Sequence, residues 1–116
     1  MDLIQILKAL SDESRLRILN VIREKPLCVC EIEEVLNMSQ SNVSRHLSKL
    51  VNAKIVIFYK KAKYVYYEIN KDIFLQYDFI EKIIMKELVS INDFKFDLEN
   101  LDTIKDLDCC TKHNLS

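Results

Sequence analysis

The sequence contains no glycine and no tryptophan, and it has one proline and two histidines among its 116 residues. Glycine normally supplies the positive φ angles of tight turns and helix ends, so we expect asparagine and lysine to take those positions here. Apolar runs are far shorter than the about 20 residues that cross a bilayer, and the first residues lack the apolar core and cleavage site of a signal peptide. These absences predict a cytoplasmic protein with no membrane partner.

The composition is that of one soluble domain, because 49% of the residues are hydrophobic and 30% are charged. A chain of this length is expected to bury a modest core and not to form a multi-domain enzyme. The net charge is only −1, but residues 39–71 hold seven basic and one acidic side chain, whereas residues 72–116 hold five basic and ten acidic ones. The basic middle of the chain predicts a surface that faces phosphates.

The spacing of apolar residues predicts the secondary structure. Helical spacing indicates helices at 2–10, about 12–24, a short segment ending near 37, about 40–52 and about 72–91. β-branched and aromatic residues on both sides of the lysine-rich turn 60–63 predict a two-stranded hairpin at 55–59 and 64–69. Three arginines of the second helix are expected on its outer face: Arg15, Arg17 and Arg23.

This order of elements predicts a mainly α-helical winged helix-turn-helix with a β-hairpin wing. The helix at 72–91 carries more apolar surface than one small core needs, so we expect the chain to dimerise through its N-terminal and C-terminal helices. A DNA-binding and dimerisation domain is expected at 1–91, followed by a C-terminal helical extension and cysteine-bearing tail at 92–116.

The polar start of the fourth helix and the lysines of the hairpin turn are candidate contacts to double-stranded DNA. Amide, hydroxyl and guanidinium groups can bond base edges or phosphates, and the lysines can reach the backbone beside the groove. A solvated polar surface is the alternative interpretation. The candidate contacts are Ser39, Gln40, Ser41, Asn42, Ser44, Arg45, His46, Lys49, Lys60, Lys61 and Lys63.

Four cysteines form two close pairs, Cys28 with Cys30 and Cys109 with Cys110. In a reducing cytoplasm, clustered cysteines favour metal ligation or redox chemistry over structural disulfides. Thiolate sulfur is soft, so the expected ions are As(III), Sb(III), Cd(II), Pb(II) or Cu(I). Side chains two residues apart point in nearly opposite directions on a regular helix or strand. We therefore expect one ion to hold both Cys28 and Cys30 only by distorting the start of the third helix.

Four segments resemble the ArsR/SmtB family of metal-responsive repressors, and its arsenic-sensing type in particular: ALSDESRLRIL at 9–19, LCVCEI at 27–32, SQSNVSRHLSKL at 39–50 and YVYY at 64–67. The resemblance covers about residues 3–90. It implies a homodimer that holds its operator DNA and releases it when a metal or metalloid binds. The family usually has glycine after the recognition helix and often in the wing, where this sequence has Lys54 and Lys61-Ala62.

The resemblance also bears on the inducer. Zinc and nickel sensors of the family carry Asp and His ligands on the long C-terminal helix, and residues 72–91 contain no histidine. Arsenic sensors often have a third thiolate where this sequence has Glu33, so Cys109 or Cys110 is expected to complete a trigonal site with Cys28 and Cys30, in one chain or across the dimer. The expected function is a repressor released by As(III) or Sb(III), with no organic cofactor.

Three alternatives to an arsenic sensor stay open. Four thiolates would suit a Cd(II) or Pb(II) sensor of the same fold, and thiol pairs would also suit a redox-sensing repressor. A thiol metal-binding protein with no operator is the alternative from another class. An enzyme is not expected, because the sequence lacks a thioredoxin-like Cys-x-x-Cys and any Ser/His/Asp or Cys/His catalytic grouping.

Overall fold

The computed structural model describes residues 2–104. The helices before the wing are α1 (Asp2–Leu10), α2 (Glu13–Ile22), α3 (Val29–Leu36) and α4 (Gln40–Asn52). The strands are β1 (Leu27–Cys28), β2 (Val56–Lys61) and β3 (Tyr64–Ile69). After the wing come α5 (Asp72–Gln76), α6 (Asp78–Lys82), a π-helical turn (Ile83–Glu87), a 3-10 turn (Leu88–Ser90) and α7 (Asn92–Ile104).

Side-chain caps begin the helices α2 and α4. Asp12 accepts a hydrogen bond from the backbone N–H of Arg15 at 3.0 Å, and Ser39 accepts one from the backbone N–H of Asn42 at 3.3 Å. Each cap supplies an acceptor to an N–H that has no partner within the first turn of its helix. The predicted second and fourth helices are confirmed, although α2 ends at Ile22, two residues earlier than expected.

Among residues 2–104, three residues adopt the left-handed backbone conformation: Asn37 at φ 54°, Lys54 at φ 65° and Ala62 at φ 58°. Asn37 ends α3, Lys54 follows α4, and Ala62 lies in the wing turn between β2 and β3. The expectation that asparagine and lysine replace glycine is confirmed at the first two positions, and alanine takes the third. A residue with a Cβ atom loses about 1–2 kcal/mol in this conformation.

The wing is part of a three-stranded antiparallel sheet in the order β1-β3-β2. The predicted two-stranded hairpin is correct for β2 and β3 but misses β1, which pairs Leu27 with Tyr67 and Cys28 with Tyr66. A strand of two residues is too short to show an alternating pattern, so periodicity could not reveal it. As a result, the first cysteine of the Cys-x-Cys pair lies beside the central strand of the wing.

The single long helix expected at 72–91 is wrong. The backbone is extended at Tyr77, with φ −136° and ψ 94°, and this residue separates α5 from α6. The apolar spacing that suggested one helix persists across the break, because the inward side chains still reach the core. The buried members of this stripe are Ile73, Phe74, Ile80, Ile84 and Leu88.

One hydrophobic core joins the helices and the sheet. Helix α7 contributes Phe94 and Leu101 to that core and packs against α2 and α3. Three apolar residues at helical spacing form the inward face of α4, each at most 1% exposed: Val43, Leu47 and Leu50. Within residues 2–104, no helix is both long and apolar enough to cross a membrane.

Candidate nucleic-acid interface and thiol site

Helix α4 presents a polar face to solvent at its N-terminal end. Gln40, Ser41, Asn42 and Arg45 are exposed, and Ser44 is half-buried. The Arg45 guanidinium donates to Oδ1 of Asn42 at 3.2 Å, so these two polar side chains lie together on the exposed face. Hydroxyl, amide and guanidinium groups at the start of a helix are suited to base edges and phosphates in a DNA groove.

The wing carries exposed cations at its tip. Lys60, Lys61 and Lys63 are all exposed, around the left-handed Ala62. Two cross-strand aromatic pairs brace the strands behind the tip, Phe58 with Tyr67 and Tyr59 with Tyr66, each with ring centroids 5.8 Å apart. The wing is thus a stiff hairpin with a positive end, which suits contact with a phosphate backbone.

His46 does not lie on the exposed face of α4, and its predicted role as a DNA contact is wrong. The residue is 5% exposed, and its Nδ1 lies 3.1 Å from Nη1 of Arg15 in α2. Arg15 is itself buried, so its expected position on the outer face of α2 is also wrong. The spacing contained a signal for this, because Arg15 precedes the buried Ile18, Leu19 and Ile22 by three, four and seven residues.

The burial of His46 favours its neutral ring. Burial lowers the pKa of His46 below its usual 6.5, the cations Arg45, Arg15 and Lys49 act in the same direction, and Asp12 opposes them. Burial alone would raise the pKa of Asp12, but the Arg15 backbone hydrogen bond and the charges of Arg15 and His46 lower it below its usual 3.8. A neutral ring leaves Nδ1 as an acceptor for the Arg15 guanidinium.

Cys28 and Cys30 meet at the junction of β1 and α3. Their Sγ atoms are 3.2 Å apart, which exceeds the about 2.05 Å of a disulfide bond. Cys28 has extended backbone and Cys30 lies in the first turn of α3, so neither a regular helix nor a regular strand spans the pair. The premise that the two sulfurs point in nearly opposite directions is therefore wrong, and a distortion of α3 on ion binding stays a prediction. Two metal–sulfur bonds of about 2.3 Å that meet at the ion at about 90° place their two sulfurs about 3.2–3.3 Å apart.

Further ligands for the thiol pair are sparse nearby. Among residues 2–104, no group of three or more Cys, His, Asp or Glu side chains is arranged to hold a metal ion. Glu31 lies close to Cys28, but its carboxylate accepts the Cys28 backbone N–H at 3.0 Å. The predicted ligands Cys109 and Cys110 lie outside the described residues.

Polar contacts bind α7 to the two helices it covers. Asp97 is 1% exposed and accepts two hydrogen bonds from Arg17 of α2, from Nε at 2.9 Å and from Nη2 at 3.0 Å. The same Nη2 donates to the carbonyl of Leu36, and Asn100 donates to the carbonyl of Val35, at 3.0 and 3.2 Å. Helix α7 thus holds the C-terminal end of α3, which the sequence did not predict.

The arrangement of helices and wing defines a winged helix-turn-helix protein. A solved structure with this fold is the homodimeric winged helix-turn-helix DNA-binding domain of Mb0332 from Mycobacterium bovis. Its TM-score is 0.62, its sequence identity is 21%, and the match covers 78% of this chain and 85% of that one.

Sequence comparison places the chain in one family within this class. The family described as bacterial regulatory protein, arsR family, matches residues 12–57. The arsenic resistance transcriptional regulator ArsR2 of Pseudomonas putida is 30% identical over 109 residues, which cover 90% of this chain and 95% of ArsR2. The chain belongs to the ArsR family of bacterial regulatory proteins, a family of transcriptional regulators and not of enzymes.

Relatives named for arsenic and for cadmium both match this chain. The arsenic resistance transcriptional regulator ArsR1 of P. putida is 39% identical over 59% of this chain and 54% of its own length. The cadmium resistance transcriptional regulatory protein CadC homolog of Staphylococcus aureus is 37% identical over 62% of this chain and 60% of its own length. The match therefore spans only about half to three-fifths of the length of these two relatives.

Proposed function

We propose that this protein is a homodimeric, DNA-binding transcriptional repressor that leaves its operator when As(III) or Sb(III) binds its cysteine thiolates. The observation that carries the proposal is the position of the sulfur pair. Cys28 and Cys30 meet 3.2 Å apart at the start of α3, and α3 is the helix that packs against the recognition helix α4. A ligand held there lies on the helix that supports the DNA-reading face of α4.

The DNA-reading surface consists of the start of α4 and the tip of the wing. Gln40 and Arg45 are the exposed side chains with the reach and the donor groups to read base edges. Lys60, Lys61 and Lys63 offer charge without base specificity. Ser39, Ser41, Asn42, Ser44 and Lys49 complete the proposed contact set.

The dimer surface includes α1. Three large apolar side chains of this helix are 40–52% exposed: Leu3, Ile4 and Leu7. Apolar side chains on one face of a short helix are better buried against a second copy than left in water. Two copies would then present two recognition helices to two half-sites, as homodimeric helix-turn-helix proteins do.

The inducer site needs more than the sulfur pair. As(III) takes three thiolates in a trigonal site, so Cys109 or Cys110 would supply the third, from the same chain or from the second copy. The start of α3 carries the sulfur pair, and its end is bonded to α7, which leads towards the tail. Drawing the tail to the sulfurs would thus act on α3 from both ends. Near-complete release requires the inducer to bind the DNA-free form about 10⁴-fold more tightly.

A Cd(II) or Pb(II) sensor is the second candidate, and the similarity to the CadC homolog favours it. Soft divalent ions accept four thiolates, which Cys28, Cys30, Cys109 and Cys110 could supply together. The two candidates differ in the number of thiols that one ion protects. A redox-sensing repressor would instead lose DNA affinity on oxidation with no metal present.

DNA binding can be tested by fluorescence anisotropy with a duplex that the wild-type protein selects from a random library. Gln40→Ala and Arg45→Ala should weaken binding and change the preferred sequence. Lys61→Ala and Lys63→Ala should weaken all duplexes alike and reduce the salt slope by about one unit each. Lys86→Ala is the matched control, because Lys86 is an exposed lysine outside the proposed surface. Unchanged binding in all four variants would refute the assigned surface.

The inducer can be tested by titrating the reduced protein with arsenite, Cd(II) and Zn(II) while counting reactive thiols. Loss of three thiols at one As(III) per chain, with release of the selected duplex, supports the trigonal site. Protection of all four thiols by Cd(II), with full reactivity under arsenite, would replace it with a divalent-metal sensor. Cys109→Ser and Cys110→Ser then identify the tail ligand, with Cys28→Ser as the variant expected to abolish the response.

A further inference from the structure

Arg15 connects three helices through one buried guanidinium group. Its Nε donates to the carbonyl of Ala9 at 2.7 Å and its Nη2 to the carbonyl of Lys8 at 3.3 Å, both in the last turn of α1. Its Nη1 lies 3.1 Å from Nδ1 of His46 in α4 and 3.9 Å from Oδ2 of Asp12, the cap of α2. The residue is only 9% exposed.

The contacts to α1 place a buried cation at the C-terminal end of that helix, where the Lys8 carbonyl also accepts the backbone N–H of Ser11 at 3.2 Å. Carbonyls in the last turn of a helix have no partner within the helix, and a cation there also meets the negative end of the helix dipole. A buried guanidinium in turn needs acceptors for its five N–H groups. Arg15 therefore ties the end of α1 to the middle of α4 with directional bonds that apolar packing alone would not supply.

We propose that Arg15 is a positioning residue that fixes the recognition helix α4 relative to α1, and so sets the separation at which two copies read two half-sites. This rests on the proposed function, since it requires that α1 takes part in the dimer and that α4 reads DNA. In this proposal Arg15 acts without touching DNA or the second copy. It acts through His46 on one side and through the α1 carbonyls on the other.

Loss of the Arg15 contacts should lower the affinity for paired half-sites specifically. When both recognition helices are held at the operator spacing, the second half-site binds as an intramolecular event with a high effective concentration. If the recognition helix can shift relative to α1, the effective concentration at the second half-site falls and part of the added affinity is lost. Binding to one half-site, which needs one recognition helix only, is unaffected by the relative position of the two.

The test compares Arg15→Met with Arg23→Met in full-length protein. Arg23 is a matched control, because its side chain also bonds a buried group, Oδ1 of Asn20 at 2.9 Å, but at the other end of α2. The probes are the selected duplex with two half-sites, the same duplex cut to one half-site, and duplexes with one or two base pairs added between the half-sites.

Arg15→Met should lower affinity for the two-half-site duplex about tenfold or more while changing half-site affinity less than about threefold. Arg15→Met should also reduce the loss of affinity that added base pairs between the half-sites cause. Arg23→Met should show neither of these effects. If Arg15→Met fails to fold by circular dichroism, the comparison is made with His46→Leu, which loses the acceptor. His46→Gln, which keeps an acceptor, should restore the wild-type ratio.

A wild-type ratio of two-site to half-site affinity in both Arg15→Met and His46→Leu would overturn the proposal. Equal loss on both duplexes would also overturn it, because it would indicate general destabilisation. If the wild-type protein binds the half-site duplex as tightly as the two-half-site duplex, the proposed reading of DNA by a dimer is refuted. The positioning role of Arg15 is then refuted as well.

Discussion

The buried ion pair between Arg17 and Asp97 allows a sharp prediction, because its two members are buried to different degrees. The Asp97 side chain is 2% exposed, whereas the Arg17 side chain is 26% exposed. Hydrogen bonds from Arg17 to Asp97 raise the pKa of Arg17 above its usual value, although burial opposes this. Removing the cation therefore leaves a carboxylate sealed in the core, while removing the carboxylate leaves a cation that still reaches water.

The expected magnitudes follow from that asymmetry. Arg17→Met should lower the free energy of unfolding by about 3–5 kcal/mol, the usual cost of leaving a buried charge uncompensated. Asp97→Asn keeps an acceptor for Arg17 and should cost about 1.5–3 kcal/mol, the value of a hydrogen bond to a charged group. The double variant Arg17→Met/Asp97→Leu removes both charges, so it should be more stable than Arg17→Met alone.

Urea denaturation followed by far-ultraviolet circular dichroism measures all three variants. Protein concentration must be the same throughout, because a dimer gains stability with concentration. The reasoning is refuted if Asp97→Asn destabilises the protein as much as Arg17→Met does. It is equally refuted if the double variant is no more stable than the single arginine variant.

Three further predictions concern backbone strain, protonation and packing. Lys54→Gly and Ala62→Gly should each raise the free energy of unfolding by about 0.5–1 kcal/mol in urea titrations, since glycine takes a positive φ without strain. A lower free energy of unfolding in both variants would contradict this. Because the fold lowers the pKa of His46, the unfolded chain takes up protons first as the pH falls through about 6.5. The Tm should therefore fall from pH 7.5 to pH 5.5, and fall less in His46→Gln. Ile80→Ala, at a fully buried site, should cost about 2–5 kcal/mol, and Leu75→Ala, at a site 88% exposed, should cost far less by the same assay.

Features that depend on neighbours along the chain were readable from the sequence. The limits of α4 and its buried face follow from the spacing of Val43, Leu47 and Leu50. The lack of glycine, together with the family resemblance that implies glycine after the recognition helix, likewise pointed to Lys54 as a left-handed residue. Caps, turns and helical periodicity are set by groups within a few residues of each other, so a linear pattern records them.

Features that depend on distant partners were decided by the tertiary structure. Arg15 is inside because His46, 31 residues later, supplies an acceptor, and Asp97 is buried because Arg17, 80 residues earlier, supplies a cation. The sulfurs of Cys28 and Cys30 converge because β1 pairs with β3 and ends where α3 begins. The burial of a polar group is stabilised only by a partner that the whole fold brings to it, and the sequence around that group does not identify the partner.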